Sequence, residues 1–171
     1  MKYSYQVLKL ISVIILLSSC GPASKGPITK TKKSAILIEG LASHGLGFLR
    51  NQYTQPLESQ GFEVYSEPHT YNLKITADLC ITHSFGWRAV RNGANCRLLI
   101  VMDGRAWDFY NNAKFKKPDG VDIMIVYYQD GWPNGNPIEG ATKNAHIKNT
   151  SHTHLPVTVF PMVLQDIKNY L

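Results

Sequence analysis

A serine hydroxyl becomes a useful nucleophile when an imidazole takes its proton. That imidazole in turn needs a carboxylate to fix its tautomer and stabilise its charge. The chain offers these groups in order. Ser84 stands in Ile81-Thr82-His83-Ser84-Phe85-Gly86, Asp103 and Asp130 are the candidate carboxylates, and His152 and His154 the candidate bases. An apolar run from Leu79 to Ile81 leads into Ser84, and a helix is expected over Trp87 to Asn92. Strand, sharp turn and helix is the arrangement of a nucleophile elbow, whose usual pattern is G-x-S-x-G; Thr82 takes the place of the first glycine. Such a turn lifts the hydroxyl clear of a sheet, sets Ser84 and the Phe85 N–H at a helix N-terminus, and uses Gly86 for close passage of helix and strand. The plainer account of the same residues is a serine capping a helix after a buried strand.

The elements that must carry these groups follow from apolar runs. Ala35 to Ile38, Phe62 to Tyr65, Ala77 to His83, Arg97 to Met102 and Ile123 to Tyr128 read as five strands. Helical spacing marks Leu46 to Gln60, with Pro56 inside it and Gly61 at its end, and helices are expected over Ala106 to Phe115 and Pro156 to Leu171. Gln129 to Thr150 reads as a long loop rich in Gly, Asn and Pro, able to cover a site. Strands alternating with helices predict an α/β domain with a mainly parallel sheet of about five strands, covered on both faces. Ligands of such sheets gather beyond the carboxyl ends of the strands, where Glu39-Gly40-Leu41, Ser84, Asp103 and Asp130 all fall. Trp87, Trp107 and Trp132 are candidates for an apolar lining or for core.

The 171 residues suffice for one such domain, and their net charge of +6 does not point to nucleic acid. The first 34 residues hold six lysines and no acid, whereas the chain from Ala35 on is balanced. Lys2 and Lys9 precede an apolar run from Leu10 to Leu17, a secretory signal too short to span a membrane as a helix. Leu17-Ser18-Ser19-Cys20 resembles a bacterial lipobox. That resemblance implies a signal peptide over residues 1–19, lipidation at Cys20 and, with Gly21 next, an outer-membrane lipoprotein facing the periplasm. Residues 20–34 read as a flexible tether whose lysines lie near anionic headgroups, and residues 35–171 as the folded domain. Cys80 sits inside one strand and Cys96 opens the next, at different heights if both strands are regular. Two buried free thiols are therefore expected, although an export compartment allows a disulfide.

Taken together, His83-Ser84-Phe85-Gly86, Met102-Asp103-Gly104-Arg105, Val126-Tyr127-Tyr128-Gln129 and Ser151-His152 resemble, in their order, small bacterial serine hydrolases of the α/β-hydrolase superfamily. The resemblance covers residues 35–171. It implies a reduced three-layer α/β-hydrolase-like fold, because the connection Ser66 to Thr76 is too short for the usual helix. It also implies Ser84 as nucleophile, His152 as base and Asp103 as orienting acid, with oxyanion donors at the backbone N–H groups of Leu41 and Phe85. Asp130 and His154 stay as alternates, Asp130 because an acid after this strand is common in the wider superfamily. His83 reads as a lining or supporting residue.

The activity so implied is cleavage of an ester, thioester or related acyl bond in a small acyl or lipid substrate, without cofactor or metal. Two other readings stay open. His146, His152 and His154 are imidazoles of the kind that bind zinc or copper. Alternatively, the domain is a catalytically inactive hydrolase-like lipoprotein, a binding module of the cell envelope.

Overall fold

The computed structural model describes residues 32–40, 47–67, 75–91, 94–104, 116–131 and 135–171. Six strands form one sheet in the order β2-β1-β3-β4-β5-β6: β1 Lys33–Ile38, β2 Phe62–Glu67, β3 Thr76–His83, β4 Asn95–Met102, β5 Val121–Tyr128 and β6 Lys143–His146. Every neighbouring pair is parallel. The helices are α1 Phe48–Ser59, α2 Gly86–Arg91, α3 Leu155–Thr158 and α4 Phe160–Tyr170. The α/β class and the parallel sheet are as expected from the sequence; the sixth strand is an addition.

Alternation of apolar side chains along the strands builds two core layers. Leu37, Leu79, Ile81, Leu98, Ile100 and Tyr127 pack with Leu49, Tyr53 and Leu57 of α1, Leu155 of α3, and Val163 and Ile167 of α4. On the opposite face Ile38, Cys80, Leu99, Val101, Met124 and Val126 pack with Trp87, Ala89 and Val90 of α2. Each fully buried aliphatic side chain contributes about 1.5–3 kcal/mol, so the sheet is the rigid base from which the strand ends project. Trp87 is one of these core residues, 1 % exposed, and does not line an open site. Trp107, Trp132 and the helix expected over 106–115 lie outside the described residues.

Several boundaries and two expectations change. Gly61, in the left-handed region at φ 87°, ends α1 as a C-terminal glycine should. The terminal helix is divided at Val159 into α3 and α4. The long loop after β5 holds β6, whose burial alternates between half-buried and exposed. Its residues, Lys-Asn-Ala-His, carry no apolar run, and it is held at the sheet edge by backbone pairing with Ile125 to Tyr128.

Cys80 and Cys96 are not free thiols but form a disulfide, with Cα atoms 6.2 Å apart. Cys96 does pair in register with Ala77 rather than Cys80, so the expected offset exists. However, Ala77 and Cys80, three residues apart, face the same core layer, as do Cys96 and Leu99. A regular strand would place them on opposite faces. The alternation slips in both strands around Asp78 and Arg97, and this turns the two sulfurs toward each other.

Candidate active site

The chain runs from β1 outward to β2 and then returns to β3 on the other side of β1. The carboxyl ends of β1 and β3 therefore border a topological switch point, the place where open α/β sheets bind ligands. Gly40 follows β1 and Ser84 follows β3, and the two meet there. A Cβ built on Gly40 would lie 2.7 Å from the Ser84 Cβ and 3.2 Å from its Oγ, so only glycine fits. Glu39 fixes this approach: its Oε1 accepts the Leu49 and Arg50 N–H groups at 2.7 and 3.0 Å, capping the start of α1.

Ser84 has φ 56°, a left-handed conformation uncommon for a residue with a Cβ. It is sustained by its surroundings. The Ser84 N–H donates to the Met102 carbonyl at 2.9 Å, and the Trp87 N–H closes the turn onto the Ser84 carbonyl at 3.3 Å. A Cβ on Gly86 would collide with the Ile38 carbonyl, so α2 crosses β1 at backbone contact. Thr82, in the place of the elbow's first glycine, remains in β3, paired with Ile38 and Val101. The sharp turn begins only at Ser84, and this is why a β-branched residue is tolerated two positions earlier.

His83 pairs with Met102, so Ser84 and Asp103 leave neighbouring strands at one level. Asp103 is also left-handed, φ 45°, and fully buried. Its N–H donates to the Tyr127 carbonyl at 2.8 Å. Three donors face its carboxylate: the Gln129 N–H at 3.0 Å on Oδ1, and Gln129 Nε2 at 2.9 Å and His152 Nδ1 at 3.0 Å on Oδ2. Gln129 is itself locked, since its amide also donates to the Gly131 carbonyl and accepts the Gly131 N–H. Gly135 passes close overhead; a Cβ there would lie 2.7 Å from both Cα and Oδ1 of Asp103. Sequence reasoning misses Gln129 because it is uncharged, although its place directly after β5 is an available signal.

His152 lies in the turn before α3, where the His154 and Leu155 N–H groups donate to the Ser151 carbonyl. The turn is tied down by Leu155, fully buried, and by the Tyr53 hydroxyl, which donates to the Pro156 carbonyl at 2.9 Å. Because a carboxylate only accepts, the His152 Nδ1 carries the proton and Nε2 keeps its lone pair. The His83 ring stacks on the His152 ring, centroids 4.6 Å apart, and the His83 Nε2 lies 3.0 Å from the His152 carbonyl oxygen. His83 is 2 % exposed, and burial together with the neighbouring His152 pushes its pKa down to about 4.

The alternates go elsewhere. Asp130 is exposed and pairs with His146 at 2.7 Å, whose ring stacks on Tyr128. His154 accepts or donates at Ser151 Oγ, 2.9 Å, on the surface. The three histidines weighed as metal ligands thus have three different partners. Among the described residues no group of three or more His, Cys, Asp or Glu is placed to hold an ion. Leu41 and Cys20 lie outside the described residues, as does the whole of residues 1–31.

Comparison with protein-family models, with characterised proteins and with solved structures returned no match. Among the described residues no helix is long and apolar enough to cross a membrane.

Proposed function

We propose that the domain is a serine hydrolase of the α/β-hydrolase kind, cleaving an ester, thioester or related acyl bond. The observation that carries this is the 3.0 Å bond between His152 Nδ1 and the buried Asp103 carboxylate, with Ser84, held at φ 56°, leaving the neighbouring strand at the level of Asp103. A structural cap needs neither the left-handed serine nor a buried Asp–His pair beside it.

In this reading Ser84 Oγ attacks the acyl carbon while the His152 Nε2 takes its proton. The negative oxygen of the tetrahedral intermediate is assigned the Phe85 N–H as donor, with the Leu41 N–H, outside the described residues, as the second donor that the family resemblance implies. A developing oxyanion is stabilised by about 3 kcal/mol per donor. The proton then passes from His152 to the leaving alcohol or thiol, the carbonyl re-forms, and an acyl group stays on Ser84. Water, deprotonated by the same nitrogen, releases the acid and restores the serine. Asp103 keeps the imidazole in the Nδ1–H tautomer throughout and stabilises the imidazolium.

The same proposal places the domain in the cell envelope, tethered by a lipid on Cys20, with a small acyl or lipid substrate. The Cys80–Cys96 bond supports export, since disulfides persist in oxidising compartments. The test is labelling of the purified protein with a fluorophosphonate. Labelling of the native protein that is lost in Ser84→Ala is expected. Equal labelling of both removes the enzyme and leaves the inactive binding module.

A further inference from the structure

We infer that His83 is a positioning residue for His152: its Nε2–H holds the His152 main-chain carbonyl while its ring supports the His152 imidazole from below. The inference rests on the hydrolase reading of the site and adds to it a second anchor for the base. Asp103 grips the His152 ring through Nδ1, but a ring held at one atom can still swing with its loop. The contact from His83 Nε2 to the His152 oxygen, 3.0 Å, fixes the backbone of the same residue, and the ring stack at 4.6 Å fixes its plane. Ring and backbone are then both tied to strand ends of the sheet, β4 through Asp103 and β3 through His83. Because His83 immediately precedes Ser84, nucleophile and base share one rigid support.

The chemistry of the ring agrees. A carbonyl oxygen only accepts, so the His83 proton sits on Nε2. Its Nδ1 is buried and has no hydrogen-bond partner among the described residues. A second proton there would be an unsatisfied donor in the interior, beside the imidazole that must become positive during catalysis. Burial and that neighbour hold His83 neutral above about pH 4. A neutral ring supports an imidazolium without opposing its charge.

The experiment uses the full chain with ¹⁵N-labelled histidine and two substitutions. His83→Phe keeps a flat ring and removes the donor; His83→Gln keeps a donor at a similar reach and removes the ring. In the native protein at neutral pH, long-range ¹H–¹⁵N spectra should show His83 as the Nε2–H tautomer, and the His152 Nδ1–H should give one sharp downfield proton. In His83→Phe that proton should broaden or vanish. The kcat for a p-nitrophenyl ester should fall about tenfold, as loss of a positioned group does, with KM changed less than about twofold. His83→Gln should recover part of both. An Nδ1–H tautomer for His83, or a His83→Phe protein with the native downfield proton and native kcat, overturns the inference. The spectra decide this even if His83→Phe fails to fold, because the native tautomer is read without it. Equal probe labelling of Ser84→Ala and native protein is the separate failure, that of the hydrolase reading.

Discussion

Gly40 and Ser84 meet with no space for a methyl group between them: a Cβ on Gly40 would fall 2.7 Å from that of Ser84. The neighbour is not the end of a flexible chain but the first side-chain atom of the nucleophile candidate, so the serine turn itself has to move. Gly40→Ala is therefore expected to lower the rate of fluorophosphonate labelling by about 100-fold, the effect of shifting a reacting group by an ångström. Labelling kinetics, with circular dichroism to verify the fold, check this.

The choice of acid is equally open to measurement. Asp103 accepts three hydrogen bonds, one of them from His152, whereas Asp130 is exposed and bound to His146. Asp103→Asn places an amide among donors and removes the charge facing the imidazole. A loss in kcat of about 10³–10⁴-fold is expected, by analogy with other triads. Asp130→Asn and His154→Ala should each stay within about twofold of the native rate, as exposed substitutions away from a site do.

Acid should weaken the fold through His83. Its pKa is near the ordinary 6.5 when unfolded and about 4 when folded, so between those values the unfolded chain binds the proton and the native protein does not. Stability is then full above pH 6.5 and falls as pH drops toward 4, by about 3 kcal/mol in total. Urea unfolding at about pH 7 and about pH 4.5, compared between native protein and His83→Gln, isolates this part; the variant should show the smaller loss.

Removing the crosslink should cost more than a typical surface change. The disulfide joins residues 16 apart in sequence, and closing a loop of that size stabilises by about 3 kcal/mol. Cys80→Ser with Cys96→Ser is expected to lose about that much in urea unfolding. Thiol titration of the native protein in denaturant without reductant should find neither Cys80 nor Cys96 reactive.

Much of this arrangement is legible in the sequence. Asp103 directly follows an unbroken apolar run and Ser84 stands three residues beyond the end of another, and in a parallel sheet this sends both to the same edge. His152 is found differently, through the order of several short motifs, since nothing in Ser-His-Thr-His tells which imidazole turns inward. Only the fold shows it, where Leu155 anchors the turn in the core and His152 bonds to Asp103. Two features are illegible for physical reasons. β6 is held by backbone pairing and carries no apolar pattern. The pairing of Cys80 with Cys96 depends on a slip in alternation that neither strand's residues betray. Gln129, which grips Asp103 from two sides, signals itself only by its place directly after β5, because an uncharged amide between a strand and a turn looks like surface.

The crosslink between β3 and β4 also encloses the serine turn and all of α2. A protease that cuts anywhere between the two cysteines would sever the backbone near Ser84, yet leave both pieces covalently connected. Such a nicked molecule would migrate as intact on a gel without reductant and separate into two fragments once thiol is added, so damage to this one segment is visible only after reduction.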